Sequence, residues 1–117
     1  MATDLEGNEK LQRFIRLLSD LNHLTSQAYT SGKIELLKKM NGVILEMYSI
    51  QHEGTEEAYT AIEEDCQIIY KNFNAIVTML KSSDDAEKDV AAGEAVKQFL
   101  RNIFDANIRI VTAYGLV

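Results

Sequence analysis

The sequence predicts an all-α fold: a four-helix antiparallel bundle of up-down-up-down topology, in one domain. Three observations predict it. Apolar residues recur at alternating three- and four-residue spacing over several long stretches, which stacks them on one face of a helix. Proline is absent from all 117 residues, so no segment is broken by ring geometry. Short polar breaks containing Gly, Ser or Thr divide the periodic stretches into lengths of about 20 residues, and short connections favour antiparallel neighbours.

Residues 1–7 are small and polar, end in Gly7, and read as a flexible N-terminus before a bundle domain spanning 8–117. The first helix starts near Asn8 and carries Leu11, Phe14, Leu18, Leu21, Thr25 and Ala28 on one stripe. Ile15, Leu17 and Leu24 widen that apolar surface. The helix should stop around Tyr29, Thr30, Ser31 and Gly32, where glycine supplies a left-handed turn and the hydroxyls can cap.

A second helix is expected over residues 33–53 with two adjacent seams. Ile34, Leu37, Asn41, Ile44 and Tyr48 form one; Leu36, Met40, Val43, Met47 and Ile50 form the other. Such a broad apolar arc exceeds what one partner helix covers. Gly42 inside this helix is expected to mark a close helix–helix approach. Gly54 then reads as a C-cap and Thr55 as the next N-cap, with Glu56 and Glu57 set favourably against the helix dipole.

The third helix, residues 55–81, has the most regular stripe: Ile62, Cys66, Ile69, Phe73, Ile76 and Leu80. A turn follows at Ser82, Ser83, Asp84 and Asp85, where Asp84 and Glu87 have capping-box spacing. The fourth helix carries Val96, Leu100, Ile103, Asn107, Ile110 and Tyr114 to about Tyr114. Its Ala-rich, charged beginning, residues 84–94, reads as the start of that helix, as a separate short helix or as a loosely packed turn. Tyr114 to Val117 is apolar enough to dock. Asn41 and Asn107 both fall on seams, where buried amides can fix register, and a bonded pair across the core is one expectation.

The formal net charge is −6, from 18 acids against 12 bases. That balance gives no basic footprint for nucleic acid or an anionic membrane, and neither is an expected partner. No apolar run approaches the roughly 18 residues of a spanning helix. A single cysteine, Cys66, excludes an intramolecular disulfide; with no signal-peptide pattern at residues 1–8, a cytoplasmic setting is expected.

Candidate chemistry is sparse. Cys66 lies on the apolar stripe between Ile62 and Ile69, which suits an inert core thiol better than a nucleophile. Neither His23 nor His52 has the Lys-Gly pair three and four residues later that a phosphotransfer helix carries. No Glu-x-x-His pair of a dimetal bundle occurs. His52, Glu53, Glu56 and Glu57 cluster around a turn, where helix capping accounts for the acids. Arg101-Asn102 resembles the active-site motif of HEPN-type ribonucleases. Asn107 stands where that motif needs histidine, so the catalytic base is missing. Part of the chain, around Phe14, Ile15, Arg16 and Leu17 and the following Leu- and Met-bearing helix, is similar to small flagellar export chaperones. No specific motif carries that likeness. No catalytic residues, metal ligands or cofactor are expected.

Surplus apolar surface on the first two helices is the functional clue. The expected role is a non-enzymatic interaction protein (adaptor, chaperone or regulator). It would associate with itself or with a partner helix through Ile15, Leu17, Leu24, Met40, Val43 and Met47, where methionines suit an adaptable surface. The alternative is a binder of phosphate or nucleotide at the turn of Ser31, Gly32 and Lys33. There, backbone N–H groups, a helix N-terminus and one ammonium face the same way.

Overall fold

The computed structural model describes residues 9–53, 59–81 and 93–114. Its helices are α1 (Glu9–Ser31), α2 (Ile34–Glu53), α3 (Glu63–Lys81) and α4 (Glu94–Ala113). A single 3-10 turn, Thr60–Ile62, leads into α3. Among the described residues there is no strand, and the fold is an all-α four-helix bundle.

The stripe on α1 is buried throughout: Leu11, Phe14, Leu18, Leu21, Thr25 and Ala28 all face the core, joined by Leu17. The helix ends where expected. Gly32 takes a positive φ of 65° and donates its N–H to the Ala28 carbonyl at 2.8 Å, closing the last turn. Cys66, Ile69, Phe73 and Ile76 of α3 are buried, as are Val96, Leu100, Ile103, Asn107 and Ile110 of α4. Leu80 and Tyr114 lie half-buried at the ends of their stripes.

The third helix is interrupted near its start, and the fourth meets an extended residue. Tyr59 is helical, Thr60–Ile62 form a 3-10 turn, and α3 runs on from Glu63. Tyr59 precedes that turn and Ile62 ends it, and both are buried. Positions three apart eclipse one another in a 3-10 helix, which lets both enter the core together. The Tyr59 ring meets Phe14 edge-on, with centroids 5.2 Å apart. The fourth helix begins at Glu94, where Gly93 is extended (φ −75°, ψ 161°) and its carbonyl accepts the Lys97 N–H at 3.0 Å. The expected caps at Gly54, Thr55 and Asp84, and the stretch 115–117, lie outside the described residues.

The helices are not equally shared. α1 packs along α2 and along α4, and α4 packs along α3, whereas α2 and α3 approach closely at few points. The molecule is therefore two helical hairpins, α1–α2 and α3–α4, joined along α1 and α4. The amides in the seams act differently from the pairing expected. Asn107 is buried and donates from Nδ2 to the Leu18 carbonyl at 2.9 Å, tying α4 to α1. Asn41 is exposed, because α2 is rotated to bury Leu37, Met40, Ile44 and Met47 instead. Across α3 and α4, Asn102 Nδ2 donates to Asn72 Oδ1 at 2.9 Å, and Arg109 Nε to Asp65 Oδ1 at 2.7 Å.

Removing the ring at the junction of α1 and the 3-10 turn should be costly. Phe14→Ala is expected to destabilise the fold by about 3–5 kcal/mol, whereas Ile108→Ala, on the exposed side of α4, should stay within about 0.5 kcal/mol. Urea unfolding followed by circular dichroism measures both.

Candidate functional site

α2 is the helix whose surface is not explained by the chain's own packing. Its inner arc, Leu37, Met40, Ile44, Met47 and Ile50, is buried, and Ile34, Leu36 and Val43 are half-buried beside it. Its outer face carries Leu45, 60% exposed, and Tyr48, 47% exposed. An exposed leucine alone is ordinary. Leu45 lies one helical turn beyond Asn41, which with Ile34, Leu37, Phe73, Val77, Leu80, Lys38 and Lys81 lines a cleft of about 420 Å³ between the first half of α2 and the second half of α3.

The cleft exists because α2 and α3 are pinned at one end only. There, the Tyr70 hydroxyl donates to Gln51 Oε1 at 2.6 Å, and the Tyr48 and Tyr70 rings meet edge-on, centroids 5.3 Å apart. The His52 ring lies 4.0 Å from that of Tyr48. Toward the start of α2 no comparable pair bridges the two helices among the described residues, and the apolar walls stand apart.

Gly42 belongs to this outer face. It was expected to mark a close approach within the chain, yet it is exposed, and a Cβ built on it would meet nothing within 4 Å. Its φ is not positive either. Neither packing within the chain nor backbone conformation calls for glycine, which in a helix interior costs about 1 kcal/mol relative to alanine. The signal in the sequence was a mid-helix glycine three residues before a leucine that lies off both apolar seams.

The six residues expected to form a partner surface are dispersed. Met40 and Met47 are fully buried and Leu17 nearly so; Ile15, Leu24 and Val43 are half-buried and packed against the core. The methionines fill the space between α2 and its neighbours and cannot offer an accessible groove. Accessible apolar area sits instead at Leu45, Tyr48 and the α2–α3 cleft.

The turn at Ser31, Gly32 and Lys33 uses its own polar groups. The Ser31 hydroxyl donates to the Gln27 carbonyl at 2.8 Å and accepts the Lys33 N–H at 3.4 Å. Glu35 stands in the first turn of α2, where a carboxylate already complements the helix dipole. A second cleft, about 300 Å³, lies between α1 and α4. It is lined by Thr25, Ser26, Tyr29, Thr30, Leu100, Arg101 and Phe104. Arg101 donates to the Tyr29 hydroxyl at 2.6 Å, and the Lys97 ammonium sits 5.8 Å from the centre of the same ring. Among the described residues no carboxylate lies within salt-bridge reach of Arg101, unlike Arg13 with Glu46 and Arg109 with Asp65.

Cys66 is fully buried. Burial first, then the neighbouring Asp65 and Glu63 charges, push its thiol up to about 12, and the side-chain interaction with Tyr70 opposes them. Burial likewise raises Tyr59, Tyr70 and Tyr114. A thiol protonated this far above neutrality is a poor nucleophile. His23 and His52 are both exposed. Glu56 and Glu57 lie outside the described residues, and among those described no three His, Cys, Asp or Glu side chains come together. No helix of the described residues is long and apolar enough to cross a membrane.

Compared with known protein families, curated proteins and solved structures, the chain matches none.

The thiol gives a direct check. Cys66 should resist a disulfide reagent at pH 8 in the native protein and react fully in denaturant. The sign of the alkaline effect also follows. Between its unfolded value of 9.0 and its folded value of about 12, the native state holds a proton the unfolded state has lost. Unfolding free energy should therefore fall as pH rises through that window, and Cys66→Ala should flatten part of the decline.

Proposed function

We propose that this protein is a non-enzymatic interaction module that self-associates, using the outer face of α2 and the lip of the α2–α3 cleft. The observation that carries the reading is Leu45, more than half exposed, one turn along α2 from a cleft that the described helices leave open. Covering the 60% of Leu45 that is exposed contributes about 1–2 kcal/mol, so two copies covering each other's Leu45 gain about 2–4 kcal/mol before any further contact.

Charge favours a second copy as the occupant. A net charge of −6 makes copies repel over most of their surface. The outer face of α2 is locally balanced, with Glu35 and Glu46 against Lys38 and Lys39. It can therefore meet an identical face without concentrating one sign. Catalysis has no comparable support, since no nucleophile, base and orienting group converge among the described residues.

A second reading, small-ligand binding, moves from the α1–α2 turn to the α1–α4 cleft. The observation favouring it is an arginine held by a phenol hydroxyl over an apolar floor of Leu100 and Phe104. That combination suits a small anion with an apolar body, because a guanidinium takes a carboxylate or phosphate in bidentate fashion.

Sedimentation equilibrium tests the leading reading. The wild-type chain should dimerise with concentration, and Leu45→Glu should raise the dissociation constant at least about tenfold, or 1.4 kcal/mol. The same substitution should leave the helical circular dichroism unchanged. A wild-type chain that stays monomeric up to millimolar concentration overturns the reading. For the second, thermal shifts with medium-chain and aromatic carboxylates or phosphates should appear in the wild type and vanish in Arg101→Ala, while Lys33→Ala keeps them.

A further inference from the structure

The outer face of α2 has a symmetry of its own. Glu35, Lys38, Gly42, Leu45 and Ser49 recur at spacings of 3, 4, 3 and 4, and all five are exposed. This second stripe runs opposite the buried arc, and none of the described helices lies over it. Gly42 lies at its centre, with only open space where a side chain would stand. Lys38 lies four residues before the glycine and Glu46 four residues after it.

We infer that two copies of this chain pair through α2, antiparallel and crossing at Gly42, with Lys38 of each copy facing Glu46 of the other. The inference rests on the self-association proposed above and adds to it the contact point, the direction and the register.

The argument is geometric. In an antiparallel pair related by a two-fold axis at position 42, residue 38 of one copy stands level with residue 46 of the other, and residue 39 with residue 45. A parallel pair would instead set Lys38 against Lys38 and Glu46 against Glu46. Only the antiparallel arrangement matches opposite charges, and the two-fold makes every match twice. At the crossing the two glycines remove both side chains, so the backbones can approach more closely than the 8–10 Å usual for packed helices. Close approach brings Leu45 down on the aliphatic stems of Lys38 and Lys39 of the other copy, at the lip of its cleft. Glu46 accepts a hydrogen bond from Arg13 at one carboxylate oxygen, and a carboxylate can accept a second donor.

This accounts for a glycine that the monomer does not need. A solvent-facing helix position with no packing demand favours almost any other residue, and Gly42 is retained beside the most exposed leucine among the described residues. The same stripe explains why Leu45 lies outside the core arc: it serves a contact between chains.

Sedimentation equilibrium on a small set of full-length variants tests the register. Gly42→Gln supplies a good helix former with a bulky side chain. It should weaken dimerisation at least about tenfold, while the melting temperature of the dilute monomer holds or rises. Lys38→Glu alone and Glu46→Lys alone should each weaken the homodimer. Mixed in equal amounts they should form a heterodimer of near wild-type affinity, because every facing pair is then opposite in charge. If the wild type dimerises and Leu45→Glu breaks the dimer, yet Gly42→Gln does not, the crossing is wrong and the self-association reading survives. If neither single charge variant weakens the dimer, or the mixture shows no gain over its components, the antiparallel register is wrong. A wild type that never dimerises removes the broader reading and this inference with it.

Discussion

Everything in this molecule hangs on the seam between α1 and α4. Each of the other extensive contacts lies within a hairpin of consecutive helices, and local hairpins form wherever two apolar stripes and a short turn allow. Only α1 against α4 brings residues from opposite ends of the chain together over a long interface. Leu11, Phe14, Leu18 and Leu21 from one side meet Leu100, Ile103 and Ile110 from the other, all fully or almost fully buried. One polar device is set into this greasy contact. Asn107 reaches the Leu18 carbonyl, and sliding α4 by a single turn would leave its buried amide without a partner. Such a loss costs about 1–3 kcal/mol, enough to reject the slipped register.

The open edge follows from that closed one. With α1 committed to both α2 and α4, and α4 committed to both α1 and α3, the ring of four helices must close between α2 and α3. Closure happens at the tyrosine end, where Tyr48, Tyr70 and Gln51 are large enough to span the gap. At the other end Ile34, Leu37, Phe73, Val77 and Leu80 line the gap without filling it. An apolar wall left partly wet is unfavourable in an isolated chain and becomes favourable only when something dry is laid across it.

The stripes on α1, α3 and α4 were legible in the sequence because each is narrow: six residues at regular spacing point one way and admit one rotation of the helix. α2 was not legible in the same way. Its ten apolar or seam positions spread over so wide an arc that periodicity fixes its helicity but not which part of the arc faces inward. Met40 and Met47 on one seam and Leu37 and Ile44 on the other share the core, and Asn41 and Tyr48, both of the second of these, are pushed toward water. Sequence spacing cannot decide that rotation, since it depends on how far α1 and α3 reach around α2. For the same reason Gly42 was assigned to a contact inside the chain when the helix in fact turns it outward. The 3-10 entry to α3 was hidden for another reason: it answers to Tyr59 and Phe14 meeting across the core, a contact between residues far apart in sequence.

The outward rotation of α2 is what separates this bundle from a sealed one. Turning α2 by one residue, about 100°, would carry Leu37, Met40, Ile44, Met47 and Ile50 away from the core together, so burial itself sets the rotation. Tyr70 donating to Gln51 adds a polar contact at one end, and Arg13 pairing with Glu46 adds another on the side toward α1. Both agree with the setting that burial selects, in which Gly42 and Leu45 face out together.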